Sequence, residues 1–377
     1  MIYFNNAATG FPKPDVMIRA VAENLRLPPS NPYRENVTQK STVAICRERI
    51  AELFNFPCPE RVILCSGATE ALNIAINGLI QVGAHVITTQ LEHNAVLRPI
   101  YHLKETGHIK LDILPCQPPG RILIDHLKNA IVTETRLVVI NHASNVTGTV
   151  LDLHEIYGVC EARGIPLIVD VSQSAGTIEI DFSRMSNAIL AFTGHKSLLG
   201  PRGTGGLLIG DGLEPEVWKI GGTGIRSDLE TMPEMWPLKY EPGTMNQPGI
   251  AGLAASTKYI LQQGVESFAK RKNELSVHLI EELEKIDGIS IYAERPEENR
   301  CGVVSFTVEG LVTEDVGYIL QESFNIKVRT GLHCAPLIHK ALGTFPEGTV
   351  RVSFSAFNTH EEIDEFIHGL NTLKDVT

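Results

Sequence analysis

The sequence has few aromatic residues, no paired cysteines, no long apolar run and no block of positive charge. Aromatics make up 6% of the 377 residues, with two tryptophans among them. No basic stripe with interleaved aromatics is present to hold nucleic acid. The formal net charge of −11 disfavours phosphate backbones and anionic membrane surfaces alike. Seven cysteines, at 46, 58, 65, 116, 160, 301 and 334, form no C-x-x-C pair and are odd in number. That pattern argues against a disulfide framework or a zinc site and fits a reducing compartment. No uninterrupted apolar run reaches the roughly 18 residues a membrane helix needs. The N-terminal stretch MIYFNNAATGFPKP lacks the basic-then-apolar order of a secretory signal. The expectation is a soluble, cytoplasmic protein without a nucleic-acid or membrane partner and without a metal.

What is there is ordinary globular composition, 43% hydrophobic and 20% charged, long enough for two domains. Seven short β-branched or apolar runs punctuate residues 60–210: RVILC (61–65), AHVITT (84–89), KLDILP (110–115), RLVVINH (136–142), IPLIVDV (165–171), NAILAF (187–192) and GGLLIG (205–210). Between them lie helical patterns such as ATEALNIAINGLIQ (68–81) and DLHEIYGVCEARG (152–164). Strand–helix alternation predicts an α/β layer with a mostly parallel seven-stranded sheet. Residues 211–250 lack periodicity yet hold large apolar side chains, which predicts a long ordered loop. A long helix follows from about 251, interrupted near Gly264. GISIYA, CGVVSFTVEG, TEDVGYILQESF, IKVRTG, TVRVSFSAF and a final helix from Thr359 then predict a smaller α+β domain.

Ligands of open α/β sheets bind beyond the carboxyl ends of the strands, so the residues following each strand are the informative ones. SGATEALN after RVILC opens a helix with a Ser-Gly-Ala-Thr turn, which suits a phosphate; simple capping by Ser66 is the plainer alternative. Asp170 sits inside an otherwise apolar strand, and a carboxylate there needs a strong partner: a structural ion pair, or a protonated pyridine nitrogen. Lys196, in TGHKSLLGPRGTGG, sits at the end of a buried strand, where desolvation lowers an amine's pKa and makes Schiff-base chemistry accessible. Cys334, in RTGLHCAPL, lies near Arg329 and His333, and a reactive thiol needs such an electropositive setting.

The stretches YFNNAATGFP, SGATEALN, LEHNAVLRP, NHASNVTG, VDVSQSAG, FTGHKSLLGPRGTGGL, YEPGTMN, VRTGLHCAPL and VRVSFSAFNT together resemble the class V aminotransferase-like enzymes of the fold-type I pyridoxal-phosphate superfamily. Within them the chain is similar to the cysteine desulfurases and selenocysteine lyases. The likeness runs nearly end to end. It implies a large domain over residues 14–258 and a small one built from 1–13 and 259–377. It further implies that Lys196 attaches pyridoxal 5'-phosphate covalently, that Asp170 binds the pyridinium nitrogen and Gln173 the phenolic oxygen, and that His93 stacks on the ring. Ala68, Thr69, Thr193 and His195 are expected at the phosphate, with Thr244 reaching the phosphate of a neighbouring subunit in a homodimer. Asn145 and Arg351 are expected at the substrate carboxylate, with Arg329 beside them.

On the same resemblance, Cys334 takes sulfur from L-cysteine as a persulfide and alanine is the product. The short stretch RTGLHCAPLIHKALG lacks a long insertion around the cysteine. It resembles the Suf-type group, whose members often pass sulfur to a partner protein. Leu332, where that group has a second histidine, is a departure. Three alternatives stay open: a selenocysteine lyase, a class V aminotransferase or epimerase in which Cys334 is incidental, and a non-catalytic cofactor-binding scaffold.

Overall fold

The computed structural model describes residues 1–28, 31–33, 40–293 and 301–376. Twelve strands and eleven α-helices alternate along them. The strands are β1 (Ile2–Tyr3), β2 (Val62–Cys65), β3 (Ala84–Thr89), β4 (Ile109–Leu114), β5 (Thr135–Asn141), β6 (Leu167–Asp170), β7 (Ala188–Thr193), β8 (Gly205–Ile209), β9 (Ile289–Tyr292), β10 (Val303–Val308), β11 (Ile326–Lys327) and β12 (Val350–Ser353). The helices are α1 (Asp15–Asn24), α2 (Thr42–Leu53), α3 (Ala68–Leu79), α4 (Asn94–Glu105), α5 (Ile124–Ala130), α6 (Leu153–Glu161), α7 (Gln247–Gln263), α8 (Val265–Leu283), α9 (Thr313–Phe324), α10 (Pro336–Leu342) and α11 (His360–Val376).

The seven runs expected as strands form one sheet in the order β2-β8-β7-β6-β5-β3-β4. Only β8 runs against its neighbours. Alternation along these strands divides the core in two, as a period of two residues requires. Leu64, Val138, Val169, Leu190 and Leu208 belong to one apolar cluster. Ile63, Val139, Ile168, Ile189 and Leu207 belong to the other. A sheet buried on both faces accounts for the near-continuous apolar runs in the sequence.

Gly264 has φ +82° and separates α7 from α8, where the long helical pattern is interrupted. The segment before α7 carries only a short 3₁₀ turn at Leu238–Tyr240, as the loss of periodicity there predicts. A third cluster is built from α8, α9, α11 and the three-stranded antiparallel sheet β12-β10-β9, and it takes in Ile2 and Phe4 from the N-terminus. IKVRTG proves mostly irregular: only Ile326–Lys327 pairs, in parallel with β1, before Arg329 bridges to Arg351. Helices α1 and α2 have no counterpart in the sequence reading, and neither does the short α10 that follows the Cys334 turn.

Candidate active site

The carboxyl ends of β2, β3, β5, β6 and β7 open on one cavity of about 390 Å³. Every residue singled out from the sequence lines it except Cys334 and Thr244.

Beyond β2, Gly67 is the N-cap of α3, at φ +155° and ψ −179°, and no side chain caps the helix. That conformation is almost exclusive to glycine. The plainer alternative for this turn fails, because the Ser66 hydroxyl donates to Glu70 Oε2 at 2.5 Å instead of capping. The other Glu70 oxygen accepts from Lys219 Nζ at 2.6 Å. The first-turn N–H groups of α3 thus face the cavity at the positive end of the helix dipole, an arrangement that favours an anion.

Beyond β3 stands His93, the N-cap of α4, whose Nδ1 accepts from Ala95 N at 3.0 Å. Burial, reinforced by the charge of Lys196, holds its pKa down at about 4. The ring is therefore neutral, with its proton on Nε2. The preceding Glu92 is completely buried; its Oε1 accepts from the Thr89 hydroxyl at 2.6 Å and from Asn141 N at 3.0 Å, while Oε2 has no partner. Burial pushes this carboxyl up to about 8, with Asp170 adding to the effect.

Asp170 ends β6, buried, with Oδ1 accepting from Ser172 N at 2.9 Å. In the following turn, Gln173 is also buried and its Nε2 donates to Ala7 O at 3.1 Å. Thr193 ends β7 and is buried; His195 pairs through Nδ1 with Thr9 Oγ1 at 3.1 Å. Lys196 follows, its pKa lowered to about 8 by burial, against the opposing pull of Asp170. An amine in that range is partly unprotonated near neutral pH and can act as nucleophile or base. The N-terminal segment presses on this turn: Gly10 N donates to His195 O at 2.9 Å. A Cβ at Gly10 would stand 2.5 Å from Lys196 O, so glycine is required by space.

Two arginines close the cavity from the antiparallel side. Arg351 on β12 is fully buried, donating from Nη1 to Asn145 O at 3.0 Å and from Nη2 to Asn5 Oδ1 at 3.1 Å. Its Nε has no partner. Burial, then the neighbouring Arg329, pushes its pKa down to about 9. A buried guanidinium without a carboxylate is costly, and an orphaned donor beside a cavity marks a place for an anionic ligand. Arg329 contributes a second cation, its Nη2 3.2 Å from Cys334 Sγ.

Cys334 itself does not line the cavity, although Arg329 and His333 do. Its backbone is held on both sides: Asn145 Nδ2 donates to His333 O at 2.7 Å, and Asn94 N donates to Cys334 O at 2.7 Å. His333 and Cys334 both have positive φ, 48° and 61°. The buried His333 ring pairs through Nε2 with Thr349 Oγ1 at 3.0 Å. Thr244 stands apart, exposed beside a second cavity of about 150 Å³ that shares Ser66, Glu70 and Gly203 with the first. Sequence reasoning missed Arg202, exposed on the first cavity's lining. Its only sequence signal is a place in the glycine-rich turn after Lys196. No group of three or more His, Cys, Asp or Glu residues among the described residues is placed to hold a metal. No helix among them is long and apolar enough to cross a membrane.

Comparison with known proteins bears on the same residues. The family model described as "Aminotransferase class-V" matches residues 2–366. A probable cysteine desulfurase of Xylella fastidiosa is 34% identical over 382 residues, covering 98% of this chain and 90% of its own. A cysteine desulfurase of Escherichia coli O157:H7 is 30% identical, with 99% and 93% covered. Among solved structures, the apo cysteine desulfurase of Thermococcus onnurineus superposes with TM-score 0.88 at 30% identity, covering 100% of this chain and 95% of that one. A C-DES mutant with glycine covalently linked to its PLP cofactor gives TM-score 0.84 at 27% identity, with 98% and 95% covered. The chain belongs to the class V aminotransferase family, in its cysteine desulfurase group.

Proposed function

We propose that the protein is a pyridoxal-5'-phosphate-dependent cysteine desulfurase, converting L-cysteine to L-alanine and taking the sulfur on Cys334. One observation carries this reading: a single cavity joins Lys196, Asp170 and an uncapped helix N-terminus to a buried guanidinium whose Nε has no partner, with a thiol 3.2 Å from the second arginine. The donor set suits the cofactor. Lys196 would attach it, and the first turn of α3 with Thr69, Thr193 and His195 would hold its phosphate. Asp170 would keep the ring nitrogen protonated, Gln173 would bond the phenolic oxygen, and the neutral His93 ring would stack on the face. When bound, the cofactor supplies an electron sink for charge released at the substrate Cα.

Arg351, Asn145 and Arg329 receive the substrate carboxylate; the paired N–H groups of a guanidinium match it. Lys196 moves the Cα proton. Arg329 stabilises negative charge on the Cys334 sulfur, because the thiolate is the nucleophile. That thiolate attacks the sulfur of L-cysteine: a sulfur–sulfur bond forms, the carbon–sulfur bond breaks, and the three-carbon remainder takes up a proton to leave as L-alanine. The enzyme is left with a persulfide, which a reductant or a sulfur-acceptor protein then collects. In a homodimer, Thr244 adds its hydroxyl to the partner's phosphate site. Residues 14–258 form the large domain, and residues 1–13 with 259–377 the small one.

The test is alanine and sulfide or selenide release from L-cysteine and L-selenocysteine with reductant, comparing the parent with Cys334→Ala. Alanine from cysteine in the parent and none in the variant is the expected outcome. Turnover of selenocysteine alone makes the protein a lyase for selenium. Alanine from neither substrate returns the aminotransferase or epimerase alternative.

A further inference from the structure

Lys272 is a buried charge that the proposed chemistry does not use. It lies on α8, between Phe268, which packs in the first core, and Leu275 and Leu279, which pack in the third. The residue is 5% exposed. Its ammonium donates to Thr177 Oγ1 at 3.0 Å and to Ser197 Oγ at 2.8 Å. Among the described residues it has no carboxylate partner. Burial lowers its pKa to about 8.

An ammonium taken out of water without a counter-ion is unfavourable, and an apolar side chain would fill the same place at less cost. The two hydroxyls show what the charge does there. Ser197 directly follows Lys196. Thr177 closes the turn after β6 that carries Gln173 and begins one residue beyond Asp170. One ammonium therefore fastens together the two turns that hold the lysine, the aspartate and the glutamine of the cavity. Lys272, Thr177, Ser197 and Lys196 line one small cavity of about 10 Å³, so the tie and the site lie side by side.

We infer that Lys272 is a positioning residue: its hydrogen bonds to Thr177 and Ser197 fix Lys196 relative to Asp170 and Gln173. The inference rests on the cofactor reading above, because the geometry it sets is that of the cofactor's attachment point against its ring partners. Charge-assisted hydrogen bonds are about twice as strong as neutral ones, which suits a tether that must hold two turns at a fixed distance.

The experiment compares the holoenzyme with Lys272→Met and Ser197→Ala. The first variant keeps the stem and removes the donors. The second deletes one acceptor and leaves the rest of α8 intact. Three quantities are read: circular dichroism of the bound-cofactor absorption band, which reports its orientation; the rate of cofactor release into excess phosphate buffer; and Tm. In both variants the band's dichroism weakens and release accelerates, by roughly tenfold or more in Lys272→Met, which loses two hydrogen bonds from a charged donor. Unchanged dichroism and release in both variants, with only Tm altered, overturns the inference and leaves Lys272 a structural tie. If Lys272→Met does not fold, Ser197→Ala alone decides by the same readings. A parent protein that shows no cofactor band when purified with pyridoxal phosphate overturns the cofactor reading itself, and the inference with it.

Discussion

Replacing Arg351 with methionine should damage binding while leaving stability nearly unchanged. The guanidinium is fully buried, donates to one backbone carbonyl and one asparagine oxygen, and leaves Nε without a partner. In the substrate-free protein its two hydrogen bonds, from a charged donor, return about 1.5–3 kcal/mol each. Against them stands the several-kcal/mol penalty of burying a charge that no anion meets. Methionine fills much of the same volume without that penalty but strands the two acceptors, so the variant should stay within about 1–2 kcal/mol of the parent. Substrate binding suffers far more. A paired contact to a carboxylate comprises two charge-assisted hydrogen bonds of about 1.5–3 kcal/mol each. Their loss should lower kcat/KM for L-cysteine by roughly 10²-fold or more.

The assays are alanine formation under substrate-limiting conditions and thermal unfolding of the substrate-free holoenzyme. An Arg351→Met protein with unchanged kcat/KM, or with a Tm several degrees below the parent, would refute the reasoning.

Other outcomes follow from single residues. Cys334→Ala should lose sulfur release yet still exchange the Cα hydrogen of L-alanine in deuterated water, whereas Lys196→Ala should lose both; NMR of the amino acid checks this. Glu92→Gln bears on stability: burial lifts the folded pKa of this acid to about 8, so the native state holds the proton more tightly and stability falls as pH climbs from the ordinary carboxylate range to about 8. The glutamine variant should flatten that slope in a Tm-versus-pH series. Gly67→Ala forces a Cβ onto a backbone at φ +155°. It should cost about 1–3 kcal/mol and weaken cofactor retention, measured by equilibrium dialysis; no nearby atom is closer than 3.6 Å, so strain rather than collision is the cause.

The seven strands were legible because a sheet buried on both faces needs unbroken apolar runs, and those runs stand out against their polar surroundings. Lys196, Asp170 and the turn at Ser66 were legible because each follows such a run. Helices α1 and α2 were not: Met17 is the only fully buried residue of α1, and the buried set of α2 includes Arg47, held by Glu241 at 2.6 Å. A side chain whose partner lies so far along the chain carries no local signal. The same holds for Lys272, which looks like any helical lysine until the fold brings Thr177 and Ser197 to it. Ser66 misleads in a subtler way. Its type suits a cap, but Glu70 four residues on takes the hydroxyl.

The turn at His333 and Cys334 is pinned through both carbonyls, by Asn145 on one side and Asn94 on the other. A segment anchored at two consecutive peptide groups leaves the thiol only rotation about its own side-chain bond. Whatever rides on that sulfur therefore stays within a side chain's length of where it was loaded. For a turn so fixed, sulfur carried on Cys334 as proposed would have to be collected where it sits, by a small reductant or by an acceptor group brought to the half-buried thiol.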